Sequence, residues 1–436
     1  MNSFEEKELS ILRHAVDKIQ SHEKKKIVNS SEVKEIIHIV EEFIKSKELI
    51  CYGGTAINNI LPDNDQFYDK SMEIPDYDFF STNALAHAKK LADTYAEAGY
   101  EEVEAKSGIH VGTFKVFVNF IPVADVTQLS AEIFKNLKDE SIVVDNIYYA
   151  SPLFLRMSMY LELSRPRGDV SRWEKILNRL ILLNKHYPMK SYNCSHKKIR
   201  RDFSKNPSKQ KTFIIYECVR NAFIRDGVVF FGSFAFSLYS KHMPSYLHDI
   251  HKKYVDFDVL STSPEKTAAY VKNQINMCGI KNCKIVTHTG VGDLVAPHLE
   301  IKIKNETIAF IYKSTACHSY NEIMVDRQKI KVASIDTILQ LYLAFIFTDK
   351  PYYDKERLLC LAQFLFVLQQ KNRLKQNGLL KRFSETCLGE QETLEIMRSK
   401  KTHKFKTLKH AKKTNTVEFE TWFLRYMPKT RKKNVI

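Results

Sequence analysis

A long internal repeat constrains the fold of this chain more than any other feature of its sequence. An apolar run that ends in two small residues, Gly53-Gly54, is matched about 180 residues later by a similar run that ends in Gly232-Ser233. The acid–aromatic–acid segment Asp76–Asp78 recurs at nearly the same distance as Asp256–Asp258. The repeating units of solenoid proteins are much shorter, so a period of this length indicates two copies of one domain.

Both copies combine short apolar strands with amphipathic helices, a pattern that predicts an α/β (α+β) fold. We expect two tandem domains, each a mixed sheet flanked by helices, with further helices added outside the copies. The predicted segments are N-terminal helices over 1–47, a first domain over 48–195, a basic linker over 196–224, a second copy over 225–370 and a basic C-terminal extension over 371–436.

The charge of the chain indicates a polyanionic partner. It carries 67 Lys and Arg against 51 Asp and Glu, a formal net charge of +16, which favours nucleic acid or an acidic membrane surface. Basic runs in the linker and the C-terminal extension favour nucleic-acid backbone binding. The longest apolar stretch, Ile338 to Phe347, is about half of what a bilayer-spanning helix needs, and the N-terminus lacks a secretory signal.

The eight cysteines are scattered and contain no CxxC pair. This spacing does not favour a structural zinc site. We therefore expect all eight thiols to be reduced and mostly buried, as in a cytosolic protein.

Three acids form the main chemical constellation. Asp76 and Asp78 lie two residues apart on a predicted strand, so their carboxylates point to one face and repel each other unless a cation lies between them. Asp125 interrupts an otherwise apolar strand, where an unpaired charge is costly. If the two strands are neighbours, the three carboxylates can hold two metal ions about 3.5–4 Å apart, as in-line attack on phosphate requires. Gly53-Gly54, between a strand and a helix start, is suited to phosphate binding.

Several motifs resemble a known family. They are LICYGGTAI (Leu49–Ile57), PDYDFFS (Pro75–Ser81), GIHV (Gly108–Val111), VADVTQL (Val123–Leu129) and the segment Arg165–Pro188. Together they resemble nucleotidyltransferases of the DNA-polymerase-β superfamily. More narrowly, they resemble the poly(A) polymerase catalytic subunits of large nucleocytoplasmic DNA viruses, of the mimivirus and African swine fever virus type. The resemblance implies a polynucleotide adenylyltransferase that adds AMP from ATP to RNA 3′ ends.

The resemblance also implies roles for particular residues. Asp76 and Asp78 would bind both ions, Mg²⁺ or Mn²⁺, and Asp125 would complete the site that activates the primer 3′-hydroxyl. Gly53 and Gly54 would hold the ATP triphosphate, and Thr55 could supply the hydroxyl of the Gly-Ser pair usual in the superfamily. The basic residues predicted to contact RNA are Arg156, Arg172, Lys175, Lys197, Lys198, Arg200, Arg201, Lys400, Lys401 and Lys404.

The second copy lacks a counterpart of Asp125, since its strand reads Ile308-Ala309-Phe310-Ile311-Tyr312. We therefore interpret it as a degenerate domain retained as scaffold and for RNA contact. Two alternatives remain open: another terminal transfer (uridylyl, CCA or oligoadenylate synthesis), because the residues do not fix the base, or a non-catalytic RNA-binding scaffold. The viral relatives further imply a homodimer or a viral processivity partner, no membrane association, and a location in the host cytoplasm (virus factory) and the virion.

Overall fold

The computed structural model of the chain describes residues 4–69, 71–189, 194, 199, 209–245, 248 and 254–428. It divides into two compact units: residues 1–151 together with 394–436, the first unit, and residues 152–393, the second unit. This division differs from the predicted domain limits at two points. The first unit ends at 151 instead of 195, and most of the predicted C-terminal extension is part of it.

The helices and strands of the described residues are numbered here in chain order. The helices are α1 (Phe4–Val28), α2 (Ser31–Ser46), α3 (Gly53–Ile60), α4 (Ala84–Glu97), α5 (Ala131–Asp139), α6 (Pro152–Leu163), α7 (Trp173–His186), α8 (Lys209–Asp226), α9 (Ser233–Ser240), α10 (Pro264–Met277), α11 (Ile335–Ile346), α12 (Lys355–Lys371), α13 (Leu394–His410) and α14 (Val417–Phe423). The strands are β1 (Ile50–Tyr52), β2 (Tyr77–Ser81), β3 (Val103–Ser107), β4 (Thr113–Val118), β5 (Ile121–Gln128), β6 (Ile142–Val144), β7 (Ile147–Tyr149), β8 (Val229–Phe230), β9 (Phe257–Ser261), β10 (Cys283–His288), β11 (His298–Ile303), β12 (Glu306–Lys313), β13 (His318–Val325), β14 (Gln328–Ala333), β15 (Cys387–Leu388) and β16 (Arg425–Tyr426).

The strand order of the two sheets confirms the predicted duplication. In the described residues of the first unit the order is β16-β3-β4-β5-β2-β1-β7-β6, and in those of the second unit it is β10-β11-β12-β9-β8-β14-β13-β15. Apart from one edge strand in each sheet, the two orders are the same when β1–β7 are matched with β8–β14. Each sheet is mixed, with a parallel pair (β2 with β5, β9 with β12) beside antiparallel neighbours. Because the order is the same, both copies present their acid-bearing strands in the same place.

The helices on the first sheet form for reasons that the sequence already contains. Ser30 caps α2, since its hydroxyl accepts a hydrogen bond from the Val33 N–H at 3.2 Å, as expected for a serine at this position. The apolar face of α2 is buried, and the buried Tyr95 of α4 donates its hydroxyl to the Ile36 carbonyl at 2.7 Å. These contacts join α2 and α4 over the sheet. α3 begins directly after the last residue of β1, at the edge of the sheet where β2 starts.

The C-terminal segment completes the first unit as an edge strand and two helices. β16 pairs antiparallel with β3, where Arg425 lies opposite Lys106 and Tyr426 opposite Ala105. The Tyr426 hydroxyl donates to Asp93 at 2.6 Å, and the buried Leu424 anchors the strand. Residues 394–428 of the predicted extension are therefore a folded part of the first unit.

The cysteines of the second unit correct a prediction. Six of the eight are paired as disulfides, Cys194–Cys360, Cys218–Cys278 and Cys317–Cys387, with Cα–Cα distances of 5.6, 6.7 and 5.1 Å. Only Cys51 and Cys283 among the described residues are free, and both are buried. The partners are 166, 60 and 70 residues apart, so spacing along the chain could not reveal them.

None of the helices within the described residues combines the length and the apolar character needed to cross a membrane.

Candidate active site

The parallel pairing of β2 with β5 brings the predicted acids together. Asp78 lies directly opposite Asp125 in this register, while their neighbours Tyr77 and Ala124 are buried on the opposite face. Register partners on adjacent strands are about 4.8 Å apart and point to the same face of the sheet. Asp76 immediately precedes β2 and is open to solvent. The adjacency on which the predicted carboxylate cluster depends is therefore present.

A lysine that the sequence analysis missed also belongs to this cluster. Lys115 lies opposite Asp125 on the neighbouring strand β4, and its Nζ forms an ion pair with Asp125 Oδ2. The side chains of Lys115 and Asp125 are 38% and 16% exposed. The other carboxylate oxygen, Asp125 Oδ1, is buried and has no hydrogen-bond partner in the described residues. Strand alternation gives the signal. Lys115 lies between the buried residues Phe114 and Val116, so its side chain points to the opposite face of the sheet.

The electrostatics of the cluster favour a bound cation. Although the residue as a whole is exposed, partial desolvation of its carboxylate and the nearby Asp125 raise the pKa of Asp76, and Lys115 only partly opposes them. Like charges in a partly desolvated site have this effect on each other.

The donor set fits a divalent ion, because three carboxylates supply the hard oxygens that Mg²⁺ prefers and one of these oxygens, Asp125 Oδ1, has no hydrogen-bond partner within the described residues. Within the part of the chain that the structure describes, no three such side chains are already gathered around one metal position. Lys115, which holds Asp125 Oδ2, supplies the positive charge of the site in this arrangement.

The glycine turn lies directly against the second acid of the cluster. Gly53 has φ +73, and a Cβ at this position would lie 3.2 Å from Asp78 Cγ and closer still to Asp78 Oδ2. Glycine is therefore required both by the backbone conformation and by the carboxylate. α3 begins here, and the Tyr52 side chain does not cap it; the Tyr52 hydroxyl instead hydrogen-bonds Thr127 at 2.9 Å. The N-cap residue thus leaves the first N–H groups of α3 uncapped, and N–H groups at a helix start can bind an anion.

Thr55 has a different place from the one predicted. It is buried, and its hydroxyl donates to the Asp76 carbonyl at 2.7 Å. This geometry does not support a phosphate contact by Thr55. It makes Thr55 a positioning residue, because its hydrogen bond ties α3 to the segment that carries Asp76.

The predicted RNA contact of Arg156 is not supported either. Arg156 is 1% exposed, and its guanidinium donates to Asn184 Oδ1 at 2.8 Å and to the Tyr187 carbonyl. Burial lowers its pKa to about 10, so the guanidinium remains charged and serves to join α6 to α7. Arg172 is 54% exposed with Glu162 3.5 Å away, and Lys175 is also exposed.

The three predicted basic residues of α13 lie within about 100° of each other around the helix, and two of them have partners within the protein. Lys401 is partly buried and donates to the Gly108 carbonyl at 2.6 Å, and Lys404 pairs with Glu418 at 2.6 Å. Lys400 is exposed. Three other exposed basic residues lie within about 80° of each other at 100° per residue, which we call the outer basic face: Arg398, Lys406 and Lys409. The remaining predicted contacts, Lys197, Lys198, Arg200 and Arg201, lie outside the described residues.

The second copy has the same turn and acids but a different neighbourhood. Phe310 lies opposite Asp258, where the first copy has Asp125, and Glu300 lies opposite Phe310, where the first copy has Lys115. At the turn, Arg357 donates to the Ser233 hydroxyl at 2.8 Å. The second copy thus has the apolar Phe310 at the position of the third acid, and Arg357 contacts Ser233 in its glycine turn.

Glu300 does not replace the missing acid. Burial alone would raise its pKa, but hydrogen bonds from Thr307, His288 and Lys302 outweigh it and lower that pKa. Thr307 donates to Oε1 at 2.5 Å and His288 contacts Oε2 at 2.9 Å. Both carboxylate oxygens are therefore held within the protein.

Comparison with known proteins confirms the resemblance found in the motifs. A family model for the poly(A) polymerase catalytic subunit matches residues 38–169, which include the glycine turn and all three acids of the first copy. Proteins named poly(A) polymerase catalytic subunit in African swine fever virus (isolate Pig/Kenya/KEN-50/1950) and Acanthamoeba polyphaga mimivirus are 34% identical over 180 residues and 26% identical over 223 residues. These alignments cover 40% and 49% of this chain. The chain spans only 38% and 36% of the length of these relatives.

The fold also matches a solved structure over nearly the whole chain. The crystal structure of the Megavirus polyadenylate synthase superposes with a TM-score of 0.80, covering 98% of this chain and 87% of that one. Sequence identity is 19%, so this match establishes a shared fold. It confirms the predicted α/β fold class, with two mixed sheets flanked by helices.

Proposed function

We propose that this chain is a template-independent poly(A) polymerase that transfers AMP from ATP to the 3′ end of RNA. The observation that carries the proposal is the parallel pairing of β2 with β5, which sets Asp78 opposite Asp125 beside the Gly53-Gly54 turn. A scaffold has no use for Asp125, an acid whose Oδ1 is buried without a partner in the described residues. The resemblance of residues 38–169 to the poly(A) polymerase catalytic subunit supports this chemistry.

Each group at the site has a part in the transfer. Asp76, Asp78 and Asp125 would hold two divalent ions, Mg²⁺ or Mn²⁺, which activate the attacking hydroxyl and neutralise phosphate charge in such sites. The N–H groups at the start of α3 bind the triphosphate, and Gly53 allows it to approach the backbone. The RNA 3′-hydroxyl gives up its proton to solvent, and its oxygen forms a bond to the α-phosphorus while the bond from that phosphorus to the bridging oxygen breaks. Pyrophosphate leaves with the electron pair.

The first copy is proposed to carry the catalysis alone. In the second copy Phe310 stands at the position of the third acid, and Arg357 contacts Ser233 at the turn. Loss of the third carboxylate removes the ligand that would serve the attacking hydroxyl. The second copy then serves as scaffold and for RNA contact.

RNA is proposed to bind the outer basic face of α13 and the basic linker. The three cations of this face form no ion pair within the described residues, so they can neutralise phosphates. Affinity that depends on phosphate contacts falls steeply with salt. A homodimer or a viral processivity partner, and a location in the host cytoplasm (virus factory) and the virion, are further parts of this proposal that follow from the viral relatives.

The test is primer extension on a short labelled RNA with each NTP separately and either Mg²⁺ or Mn²⁺. Wild type is compared with Asp125→Asn, which removes one ligand charge without changing the size of the side chain. Asp258→Asn is the matched control, because it changes the second copy's counterpart of Asp78. We expect a long ladder with ATP alone, its loss in Asp125→Asn and its retention in Asp258→Asn.

The alternatives give different results in the same assay. A ladder with UTP or CTP would keep the mechanism and change the product. Loss of activity in Asp258→Asn with normal folding would place catalysis in both copies. RNA binding without extension by wild type would favour the scaffold.

A further inference from the structure

A row of basic side chains crosses the first sheet at one register and ends at the proposed metal site. Arg425 on β16 lies opposite Lys106 on β3, and Lys106 lies opposite Lys115 on β4. Lys115 in turn lies opposite Asp125 on β5. Side chains directly opposite each other on neighbouring strands lie on the same face of a sheet. We call Lys115, Lys106 and Arg425 the cation row, which extends from the acids to the edge of the sheet.

The cation row lies on the solvent-accessible face of the sheet. Its neighbours along the strands, Ala105 and Val116, are buried on the opposite face, as strand alternation requires. The side chains of Lys115, Lys106 and Arg425 are 38%, 44% and 77% exposed. A ligand from solvent can therefore reach all three cations.

The charges of the row favour a bound anion. Like charges directly opposite each other on neighbouring strands repel and are destabilising, and the row contains two such pairs in succession. One carboxylate, Glu104, is shared by Lys106 at 3.4 Å and Arg425 at 3.2 Å. Lys115 pairs with Asp125, which is a proposed metal ligand. Because Glu104 supplies one negative charge for two cations, these three side chains keep a net positive charge.

The second copy has no counterpart of the two lysines in its described strands. Glu300 lies opposite Phe310 and thus stands at the position of Lys115. Val286 lies opposite Glu300 and stands at the position of Lys106. A general role in building this sheet would be expected in both copies. A role beside the reacting hydroxyl is expected only in the copy that has the third acid, and the lysines occur in that copy.

The strand order sets the row apart from the proposed triphosphate site. Gly53 begins α3 directly after β1, and β1 lies next to β2 on the side away from β5. The triphosphate site is therefore on one side of the acid pair Asp78 and Asp125, and the cation row is on the other. In-line displacement places the attacking and leaving oxygens on opposite sides of the phosphorus. In the proposed reaction the row is thus on the side from which the RNA hydroxyl approaches.

We propose that the cation row binds the backbone phosphates of the RNA next to its 3′ end, an inference that rests on the proposed function. Lys106 and Arg425 contact these phosphates, and Lys115 lies between them and the reacting hydroxyl. Neighbouring strands are about 4.8 Å apart, so the row is about 10 Å long from Lys115 to Arg425. Lysine provides a point charge, and the Arg425 guanidinium can donate two parallel hydrogen bonds to one phosphate.

Fluorescence anisotropy with a 5′-labelled oligoadenylate measures binding to the full chain over a range of salt concentrations. ATP and divalent ions are left out, so no extension takes place and the result is independent of polymerase activity. Each phosphate contact contributes about 0.7 to the salt slope of log K for a single strand. The double variant Lys106→Met/Arg425→Gln should therefore reduce the slope by about 1.4 and weaken binding about tenfold at low salt.

A variant of opposite sign and a matched control accompany the double variant. Glu104→Gln removes the carboxylate that the two outer cations share and should tighten RNA binding about twofold or more, a gain that misfolding cannot produce. Lys90→Met is the control, because Lys90 is also a partly exposed lysine, 52% exposed, and pairs with Glu97 at 3.6 Å. Lys90 belongs to α4, which packs on the buried face of the sheet, so its loss should leave RNA affinity within about twofold of wild type.

A primer with neutral methylphosphonates at its last two 3′ linkages tests where along the RNA the row binds. Wild type should bind this primer about as weakly as the double variant binds the unmodified primer. The double variant should lose no further affinity with it, because the contact is already absent. With the neutral linkages at the 5′ end instead, the double variant should still show its full loss of affinity.

The proposal is overturned if the double variant binds the unmodified primer with the affinity and salt slope of wild type, or if Glu104→Gln does not tighten binding. It is also overturned if the double variant loses as much affinity for the 3′-neutral primer as for the unmodified one. Failure of the proposed function has a different signature, since wild type would then not extend RNA with ATP, whatever its binding of these primers.

Discussion

Replacing Lys115 by methionine tests whether this lysine and a metal ion compete for Asp125. The substitution keeps most of the side-chain stem and removes the charge that pairs with Asp125 Oδ2. The pair is only partly buried, with Lys115 38% and Asp125 16% exposed. Exposed pairs contribute about 0.2–1 kcal/mol, and breaking a buried pair costs about 3–5 kcal/mol. We therefore expect a loss of about 1–2 kcal/mol in the metal-free protein.

This loss translates into a measurable change in melting temperature. For a unit of this size about 1 kcal/mol corresponds to about 2–4 °C, so Lys115→Met should melt about 2–8 °C below wild type without metal. With Mn²⁺ the difference should shrink or reverse, because Asp125 no longer has to give up an ammonium partner to bind the ion. The affinity for Mn²⁺, measured from the free-ion electron paramagnetic resonance signal, should rise about tenfold, equivalent to about 1.4 kcal/mol.

The control is Lys106→Met, which removes a lysine from the adjacent strand. Lys106 lies opposite Lys115 in the sheet and pairs with Glu104 at 3.4 Å. Its loss should lower the melting temperature by the same small amount with and without Mn²⁺. If Lys115→Met behaves like this control and binds Mn²⁺ no more tightly than wild type, Lys115 does not compete with the metal and the reasoning fails.

Four other predictions follow from the same structure. Asp76→Asn should raise the melting temperature of the metal-free protein at pH 7 and abolish its stabilisation by Mn²⁺. The sign follows from the raised pKa of Asp76: its ionised form costs the folded state free energy above that pKa, so the gain should disappear as the pH falls through the folded pKa towards the unfolded value of 3.8. Gly53→Ala should destabilise the protein by about 1–3 kcal/mol in thermal melts. Gly99 is the control, because it also has a positive φ but no atom lies within 4 Å of a Cβ added there. An equal loss in Gly99→Ala would show that the contact with Asp78 does not contribute. Reduction should lower the melting temperature of the second unit, since a disulfide contributes about 2–4 kcal/mol. Three pairs leave two of the eight thiols free, so non-reducing mass spectrometry that finds eight free thiols would contradict them. Changing the three residues of the outer basic face to glutamine should weaken RNA binding and reduce the salt slope of log K by about two; an unchanged slope would place RNA elsewhere.

The sequence predicted the arrangement of the acids because their signals are local. An acid pair at i and i+2 on a strand, and an acid inside an apolar run, are unusual by themselves, and the repeat showed that the first pair belongs to a fold used twice. Once that fold is assumed, its strand order alone places β2 next to β5. The glycine turn could be predicted in the same way, although the contact between Gly53 and Asp78 depends on a strand pairing that no local pattern contains.

The missed features depend on contacts between distant residues. Arg156 has the sequence appearance of a helix-surface cation, yet it is buried because Asn184 and Tyr187 satisfy its guanidinium. Thr55 looked available for phosphate, but its hydroxyl donates a hydrogen bond to the Asp76 carbonyl. The cysteine pairs are separated by 60 residues or more. In each case the partner is chosen by the tertiary fold, and composition and periodicity contain no information about it.

The two copies differ at a set of register positions that act together. In the first copy Lys115 on β4 lies opposite Asp125 on β5 and neutralises part of its charge. A metal ion could take over this role of the lysine. In the second copy the residues at these positions are Glu300 and Phe310, so the acid lies on β11 instead of β12. Thr307 and His288 form hydrogen bonds with the Glu300 carboxylate. Loss of the third acid is therefore accompanied by a rearranged hydrogen-bond network and by the Arg357 contact to Ser233. These differences support the proposed division of roles between the copies: the first keeps a lysine next to its acids, and the second holds its glutamate and its turn by hydrogen bonds within the protein.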